Sequence, residues 1–277
     1  MAIELSVVIP TYRRPKSLVE ALQSVLSQRG VRLDVLVVDD CPSGSAESVV
    51  RAIDDPRVRY LRHSQHSNGR PAIVRNYAWP LTQGEVLHFM DDDDIVPDGW
   101  YAAALGELKR SPNVGIVFGR IEPFGEPSEA LQNDRRLFAR SAVTASRLQR
   151  LGAPWVFAAN LLFLDLLFNG GSCLMRRQCL VAVGGYNTNV EIMEDVDLLA
   201  RATRLFGAKY LDCVSLHYRI WPSLMHRSAS VPEIMERSYV TAQANYRREF
   251  GSMDFYALKI AARLLLRWFK PRAIPAH

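Results

Sequence analysis

Short continuous apolar runs alternate with helical patterns along the first 90 residues of the chain. The runs lie at 5–10, 33–38, 58–61 and 86–90 and are rich in β-branched residues, which is typical of strands buried on both faces. Between them, apolar positions recur every three or four residues, as on one face of a helix. This alternation predicts a parallel, doubly wound sheet whose ligand site lies beyond the carboxyl ends of the strands.

Four helices are predicted from capping residues and helical spacing. The first opens at Pro15, since proline suits the first turn of a helix, and the second is capped by Ser45. The third opens at Pro71 and ends before Gly84, and a cap at Asp98 starts the fourth. The predicted core face of the third helix consists of Ile73, Tyr77 and Leu81.

The second half of the chain is less regular. Strands are predicted at 114–119 and 172–175, while 128–168 is mostly helical in its pattern. An amphipathic helix is predicted at 194–206, and the chain beyond 232 is predicted to be helical. The fold class is therefore α/β, a mostly parallel sheet flanked by helices, with a helical C-terminal tail.

Composition indicates an ordinary globular protein of 277 residues, of which 48% are hydrophobic and 23% charged. Four scattered cysteines indicate neither a disulfide framework nor a zinc site and suit a reducing compartment. The N-terminus lacks an export signal pattern, and the longest apolar stretch, 153–168, is shorter than the roughly 20 residues that span a bilayer. We therefore expect a cytoplasmic protein. Its net charge of +5 suits nucleic acid, anionic lipid and phosphorylated substrates equally.

A run of four aspartates, Asp91 to Asp94, directly follows the fourth predicted strand. Two carboxylates about 5 Å apart repel each other by roughly 3 kcal/mol at an effective dielectric constant of 20. A divalent cation relieves this repulsion, and Mg²⁺ or Mn²⁺ binds one or two carboxylates together with substrate phosphates. The run therefore indicates either a metal site that holds a nucleotide diphosphate or a solvated acidic turn. Polar residues also follow the first two strands, at 11–13 and 39–40, and the topology predicts that these three clusters converge.

Five segments of the chain, in order, resemble the motifs of family 2 glycosyltransferases. They are SVVIPTYR at 6–13, VVDD at 37–40, Asn68 with Arg75 and Asn76, FMDDDD at 89–94, and Glu194 with Asp195. The resemblance covers about the first 215 residues. It implies a Rossmann-like GT-A fold, a nucleotide-sugar donor, a divalent metal (Mn²⁺ or Mg²⁺) and inversion at the anomeric carbon.

The resemblance also implies which residues contact the donor. In the family, the first loop and the acid after the second strand hold the base and the ribose. This implies donor-binding roles for Pro10, Thr11, Tyr12, Arg13 and Asp40.

Within the aspartate run, the family's Asp-x-Asp motif matches Asp91 and Asp93. The resemblance implies that Asp91 lies near the ribose and that Asp93 binds the metal, with Asp92 and Asp94 assisting. Arg75 donates hydrogen bonds either to a donor phosphate or to the aspartate run as a structural tie.

Asp195 is the implied catalytic base, because the family places an aspartate after a glutamate at the start of a helix. Such a base deprotonates the acceptor hydroxyl as it attacks, and the helix dipole is expected to keep Asp195 ionised at neutral pH. The alternative is that Glu194, Asp195 and Asp197 only stabilise the helix N-terminus. Acceptor-binding roles are implied for Gly170, Gly171 and Glu194, although the glycines are equally typical of a plain turn.

His226 is a candidate ligand of the metal or the diphosphate. It precedes Arg227 and Ser228 in a basic segment that could close over the diphosphate as a loop. The alternative is a structural histidine.

The sequence therefore predicts an inverting, metal-dependent glycosyltransferase that moves a sugar from a nucleotide diphosphate donor, with UDP-sugar favoured, to a saccharide, lipid-linked or small-molecule acceptor. We expect residues 1–95 to form the nucleotide-sugar half, 96–230 the acceptor half of the same domain, and 231–277 a helical tail. No nucleic acid partner is expected. The alternatives are a catalytically silent nucleotide-sugar binder and a nucleotidyltransferase, which would need a glycine-rich loop that the segment PTYRR at 10–14 lacks.

The tail at 256–272 combines an apolar face with basic residues elsewhere. A basic amphipathic helix can lie on the inner face of a membrane as a peripheral contact. The alternative is packing against its own domain or a second subunit, and a homo-oligomer stays open. The predicted apolar face consists of Leu258, Ala261, Ala262, Leu265 and Phe269.

Overall fold

A computed structural model describes residues 3–221, 231–264 and 266–269 of the chain. One seven-stranded sheet lies at its centre, with the strand order β3-β2-β1-β4-β6-β5-β7. The first four strands are parallel, β6 is antiparallel to both of its neighbours, and β5 is parallel to β7. The strands are β1 (Leu5–Thr11), β2 (Leu33–Asp39), β3 (Val58–Arg62), β4 (Val86–Phe89), β5 (Ile116–Gly125), β6 (Cys173–Arg176) and β7 (Ala208–Ile220).

Helices cover both faces of this sheet, and short 3₁₀ turns connect several of them. The helices are α1 (Pro15–Leu26), α2 (Glu47–Ile53), α3 (Pro71–Ala78), α4 (Trp100–Arg110), α5 (Glu129–Leu148), α6 (Trp155–Phe163), α7 (Arg177–Val183), α8 (Glu194–Phe206) and α9 (Val231–Leu264). The turns lie at Trp79–Leu81, Gln149–Leu151, Gly170–Ser172 and Leu266–Phe269. Gly251, with a φ of 86°, interrupts α9.

Two apolar cores lie on opposite faces of the sheet. One contains buried residues of α1, α2 and α4, and the other contains residues of α3 and of α5 to α9. Because both faces are covered, the central strands are buried and read as continuous apolar runs. The predicted α/β fold class is confirmed, and strands of the second half of the chain continue the sheet that the first half begins.

The predicted core face of α3 is wrong. Its buried residues are Ala72, Val74, Arg75 and Ala78, whereas Tyr77 and Leu81 are 39% and 45% exposed. Both sets of positions follow the helical period, so the pattern alone does not distinguish them. The small residues face inward because they let the helix lie close to the sheet.

The predicted caps at Ser45 and Asp98 are also wrong. The residue before α2 is Ala46, whose amide donates to the Asp39 carboxylate over 2.8 Å. The residue before α4 is Gly99, with a φ of 80°. A distant acceptor in one case and a left-handed glycine in the other replace the local side-chain cap.

The tail packs against its own domain through part of the face that the sequence predicts as apolar. Leu258 and Ala262 are buried in the core, as is Phe255, and Phe269 packs against it. Leu265 and residues 270–272 lie outside the described residues. Within the described part of the chain, no helix has the length and apolar character needed to cross a membrane.

A close approach between β1 and the start of β4 aligns the strand that leads to the first loop with the strand that leads to the aspartate run. The amide of Gly84 donates to the Ser6 hydroxyl over 2.8 Å. A Cβ atom at Gly84 would lie 2.4 Å from the backbone nitrogen of Ser6, so this position accepts no side chain without movement of the strands.

We expect Gly84→Ala to lower the free energy of unfolding by about 1–3 kcal/mol, because the added methyl group overpacks a backbone contact. Gly106→Ala in α4 is the matched control, since its Cβ would meet only the end of Arg110 at 3.5 Å. The control should be neutral or stabilising by about 0.5–1 kcal/mol, because alanine favours a helix. Chemical denaturation measures both, and equal stabilities would contradict the prediction.

Candidate active site

The three polar clusters meet at one edge of the sheet because β2, β1 and β4 are adjacent. The amide of Asp40 donates to the carbonyl of Thr11 over 2.9 Å. The Thr11 hydroxyl in turn donates to the Asp92 carboxylate over 2.6 Å. The convergence predicted from the topology is therefore confirmed.

Asp92 faces inward and anchors the loop that follows β1. It is buried, and its second oxygen accepts a hydrogen bond from Arg14 over 3.3 Å. Burial, together with the charge of Asp93, raises the pKa of Asp92 to about 7. Asp92 thus holds the loop after β1 through its hydrogen bonds instead of projecting into the site.

Asp94 also faces inward. Its Oδ1 accepts a hydrogen bond from the amide of Arg219 over 2.9 Å, while its buried Oδ2 has no hydrogen-bond partner. Burial and the charges of Asp91 and Asp93 raise the pKa of Asp94 well above its usual range. Both effects disfavour the charged form of Asp94.

Asp91 and Asp93 are the members of the run that remain accessible, with side chains 42% and 13% exposed. Arg75 donates to Asp91 over 2.5 Å, and Arg14 donates to Asp93 over 2.7 Å. Burial and the charge of Asp91 raise the pKa of Asp93. The structure thus divides the run into two inward and two accessible carboxyl groups.

These two accessible carboxylates suit a hard divalent cation. Within the described residues, no group of three or more histidine, cysteine, aspartate or glutamate side chains surrounds a common metal position. Mg²⁺ and Mn²⁺ need only one or two protein carboxylates when phosphate oxygens and water complete the shell. The donor set therefore fits a metal shared with a diphosphate, and His226 lies outside the described residues.

Arg14 and Arg219 are neighbours of the aspartate run that the sequence analysis did not identify. Arg219 donates from Nε to the Asp93 carbonyl over 2.8 Å, and its guanidinium carbon lies 4.5 Å from the centre of the Phe124 ring. Arg14 directly follows the first loop, so its place in the sequence indicates a position next to the site. The place of Arg219 does not, because Arg219 follows Asp94 by more than a hundred residues.

Arg75 joins the aspartate run to the start of α8. It is 4% exposed, and its guanidinium donates to Asp91 and to Glu194. The guanidinium also lies 5.4 Å from the centre of the Tyr186 ring. This geometry is that of a structural tie, while the buried Nε of Arg75 has no hydrogen-bond partner and the phosphate contact stays a prediction.

Asp195 lies at the N-terminus of α8, where Oδ1 accepts from the amide of Val196 over 2.9 Å. Oδ2 accepts from the amide of Gly170 over 3.2 Å. Burial and the charge of Glu194 raise the pKa of Asp195 to about 7. Burial and the neighbouring anion thus act against the helix dipole, and the expected ionisation of Asp195 at neutral pH stays a prediction.

The two glycines of the predicted acceptor segment have different surroundings. Gly170 contacts Asp195, whereas the carbonyl of Gly171 accepts from His88 Nε2 over 2.7 Å. His88 is buried in β4, contacts the Tyr101 hydroxyl over 2.8 Å, and has its pKa lowered to about 4 by burial. A neutral histidine inside the sheet thus fixes the turn that positions Asp195.

Asp40 does not project into open space. Its carboxylate is 1% exposed and accepts from both the amide and the hydroxyl of Ser67, from the amide of Gly69 and from His63. Although burial raises the pKa of Asp40, the hydrogen bonds from Ser67 and His63 hold it below its usual value. In this structure, Asp40 shapes the 67–69 turn, and the donor contact implied for it stays a prediction.

The other implied donor residues belong to the first loop. Pro10 is within β1, and the ring of Tyr12 lies against Gly69, where a Cβ would be 3.3 Å from Cδ1 of the tyrosine. Arg13 has a φ of 60°, and its guanidinium carbon lies 5.0 Å from the centre of the Tyr12 ring. The left-handed turn at Arg13 directs the chain away from the strand and toward α1.

Comparisons with known proteins agree with this geometry. The sequence model of the family described as Glycosyl transferase family 2 matches residues 6–181. Succinoglycan biosynthesis protein ExoO of Rhizobium meliloti is 35% identical over 161 residues, 58% of the chain and 43% of that protein. A Campylobacter jejuni protein named GalNAc(5)-diNAcBac-PP-undecaprenol beta-1,3-glucosyltransferase is 34% identical over 132 residues, 46% of the chain and 41% of that protein. The chain thus spans less than half the length of these curated relatives.

Solved structures share the fold over nearly the whole chain. Residues 1–349 of S. aureus TarS give a TM-score of 0.67 at 16% identity and cover 96% of the chain and 72% of that structure. The mannosyltransferase PcManGT from Pyrobaculum calidifontis, solved with GDP-Man and Mn²⁺, gives 0.64 at 20% identity over 97% of the chain and 72% of that structure. At such identities the likeness shows the GT-A fold alone. Because the family match covers more than half of the chain and includes the aspartate run, the chain belongs to glycosyltransferase family 2.

Proposed function

We propose that the protein transfers a sugar from a nucleotide diphosphate donor, with UDP-sugar favoured, to an acceptor hydroxyl with inversion at the anomeric carbon. The observation that carries this proposal is the pairing of two accessible acids, Asp91 and Asp93, with a separate partly buried acid, Asp195, on the facing helix terminus. Two solved neighbours support the donor class, TarS in complex with UDP-GlcNAc and PcManGT in complex with GDP-Man and Mn²⁺.

On the donor side, the loop after β1 and Asp91 would hold the base and the ribose, and Asp93 would bind Mn²⁺ or Mg²⁺. When bound, the metal neutralises the charge that develops on the leaving diphosphate. Arg14 already donates to Asp93, so its guanidinium lies beside the proposed phosphate position. Thr11 and Asp92 keep this loop in place through their buried hydrogen bond.

On the acceptor side, Asp195 would accept the proton of the attacking hydroxyl at one of its carboxylate oxygens. A base works best when its pKa lies near the working pH, and burial with Glu194 raises the pKa of Asp195 to about 7. The amide of Gly170 and the start of α8 hold the carboxylate in position.

We further propose that the acceptor is a saccharide on a lipid diphosphate. A cleft of about 300 Å³ combines apolar walls with two cations, and its lining consists of Leu162, Phe163, Leu164, Tyr239, Gln243, Lys259 and Arg263. Burial and the charges of Asp195 and Asp165 raise the pKa of Tyr239 to about 12, so the cleft lies within electrostatic range of the proposed base. A diphosphate needs such cations and a lipid chain needs such walls. The name of the Campylobacter relative includes a PP-undecaprenol group.

We expect Asp93→Asn to weaken metal-dependent donor binding by at least about tenfold, because it removes a charged metal ligand. Asp195→Asn should bind the donor normally but lose about 10²–10⁴-fold in transfer rate, because it cannot accept a proton. Calorimetric donor binding with and without Mn²⁺, together with single-turnover transfer, separates the two effects. Asp98→Asn, an exposed neighbour, is the control. Full transfer by Asp195→Asn would overturn the base assignment.

The transfer rate should rise with pH through about 7 and then level off, because only ionised Asp195 accepts a proton. Glu194→Gln removes the neighbouring anion that raises the pKa of Asp195, so it should move the rise to lower pH. The pH dependence of kcat/KM measures both. Glu191→Gln is the matched control, since Glu191 is exposed and lies three residues away. A profile unchanged in Glu194→Gln would contradict the assignment.

We expect the double substitution Lys259→Gln and Arg263→Gln to raise the KM for a lipid-diphosphate saccharide by about 10–100-fold, because two charge-assisted contacts are lost. The KM for the donor should not change. Lys109→Gln is the control, because Lys109 is exposed and pairs with Glu4 over 3.0 Å. An unchanged acceptor KM would exclude this cleft as the diphosphate site.

A further inference from the structure

The part of α9 beyond Gly251, with the turn that follows it, carries a row of exposed apolar side chains. Met253 is 88% exposed, and the others are between 47% and 65% exposed. Their spacing of three or four residues places them on one side of the helix. This outer stripe consists of Met253, Tyr256, Ile260, Leu264 and Trp268.

The outer stripe is distinct from the helix face that packs on the domain. Phe255, Leu258 and Ala262 form that inner face and are at most 6% exposed. The helix is therefore apolar toward the core and again toward solvent. An exposed apolar row that continues over about three helical turns, from Met253 to Leu264, and recurs at Trp268 in the following turn indicates a surface that meets another apolar phase.

The charges beside the outer stripe are mainly positive, because its neighbouring acid, Asp254, pairs with Arg204 over 2.5 Å. Between residues 255 and 272 the sequence has five cations and no acid. This equals the net charge of +5 of the whole chain, so the remaining 29 basic residues balance all 29 acids. Within the described helix, Lys259 and Arg263 lie next to the stripe, and Arg147 of α5 donates to the carbonyl of Phe269 over 3.1 Å.

We propose that the outer stripe docks on the surface of an anionic phospholipid bilayer, with α9 lying in the plane of the interface. Tyrosine and tryptophan suit such an interface because their rings are amphipathic, and isoleucine and leucine supply buried apolar area. The flanking cations are attracted to anionic headgroups. In a symmetric contact between two copies, the same cations would face each other and repel, so charge favours lipid over a second subunit.

This proposal goes beyond the proposed reaction. Because its test uses neither donor nor acceptor, a failure of the membrane proposal is distinguishable from a failure of the proposed reaction. The full chain is mixed with phosphatidylcholine vesicles, with or without phosphatidylglycerol, and bound protein is separated by flotation. Binding should require phosphatidylglycerol and should weaken as salt is raised, because salt screens the attraction between cations and headgroups.

The double substitution Ile260→Ser and Leu264→Ser should lower the partition coefficient by at least about tenfold, because two apolar side chains no longer enter the interface. The matched control is Val181→Ser with Leu205→Ser, two apolar residues that are 64% and 47% exposed on other helices. Circular dichroism checks that both variants fold. The control variant should bind vesicles as the unchanged protein does.

Tryptophan fluorescence gives a second readout. Emission should shift to shorter wavelength when anionic vesicles are added, and Trp268→Phe should remove most of the shift, although four other tryptophans remain. Three results overturn the proposal: no binding to anionic vesicles, equal binding by the stripe variant, or a dimer in solution that the stripe variant dissociates. The third would assign the stripe to an interface between copies of the chain.

Discussion

The active site depends on an excess of negative charge in a confined space. Six carboxyl groups, those of residues 91–94, Glu194 and Asp195, lie around three arginines in the described part of the chain, Arg14, Arg75 and Arg219. Without a further cation, the excess is relieved by protons, and the pKa values of Asp92, Asp93, Asp94 and Asp195 are all raised. The raised pKa values and the predicted metal are thus two responses to one electrostatic constraint. The buried Arg75 makes the constraint common to both sides of the site, because it contacts Asp91 after β4 and Glu194 at the start of α8.

Most of the fold follows from patterns that are local in sequence. The strands β1 to β4 and β6 appear as apolar runs and α8 appears as an amphipathic segment, so their positions were predicted to within a few residues, whereas β5 extends beyond its predicted end and β7 was not predicted. The face of α3 and the caps before α2 and α4 were also not predicted, because packing against the sheet, the distant Asp39 carboxylate and the left-handed Gly99 decide them. The site shows the same division: Asp91, Asp93 and Asp195 were predicted from motifs, whereas Arg219 and the inward orientation of Asp40 depend on loops that meet only in the folded chain.

Family membership decides the class of reaction but not its partners. It favours glycosyl transfer over the nucleotidyl transfer that the aspartate run alone would also allow. The curated relatives are matched over less than half of their length. The two cations of the cleft, Lys259 and Arg263, and the outer stripe of α9 lie beyond the family match, which ends at residue 181. The proposed acceptor site and the proposed membrane contact thus take these residues from the part of the chain that shared motifs describe least.

The contacts from Tyr101 through His88 and Gly171 to Gly170 separate the orientation of the proposed base, Asp195, from its protonation. Because the pKa of His88 is about 4, His88 stays neutral over the pH range in which Asp195 titrates. The carboxylate can gain or lose its proton while the peptide that orients it remains unchanged. A change of pH near 7 would thus alter the charge of the proposed base without altering its orientation.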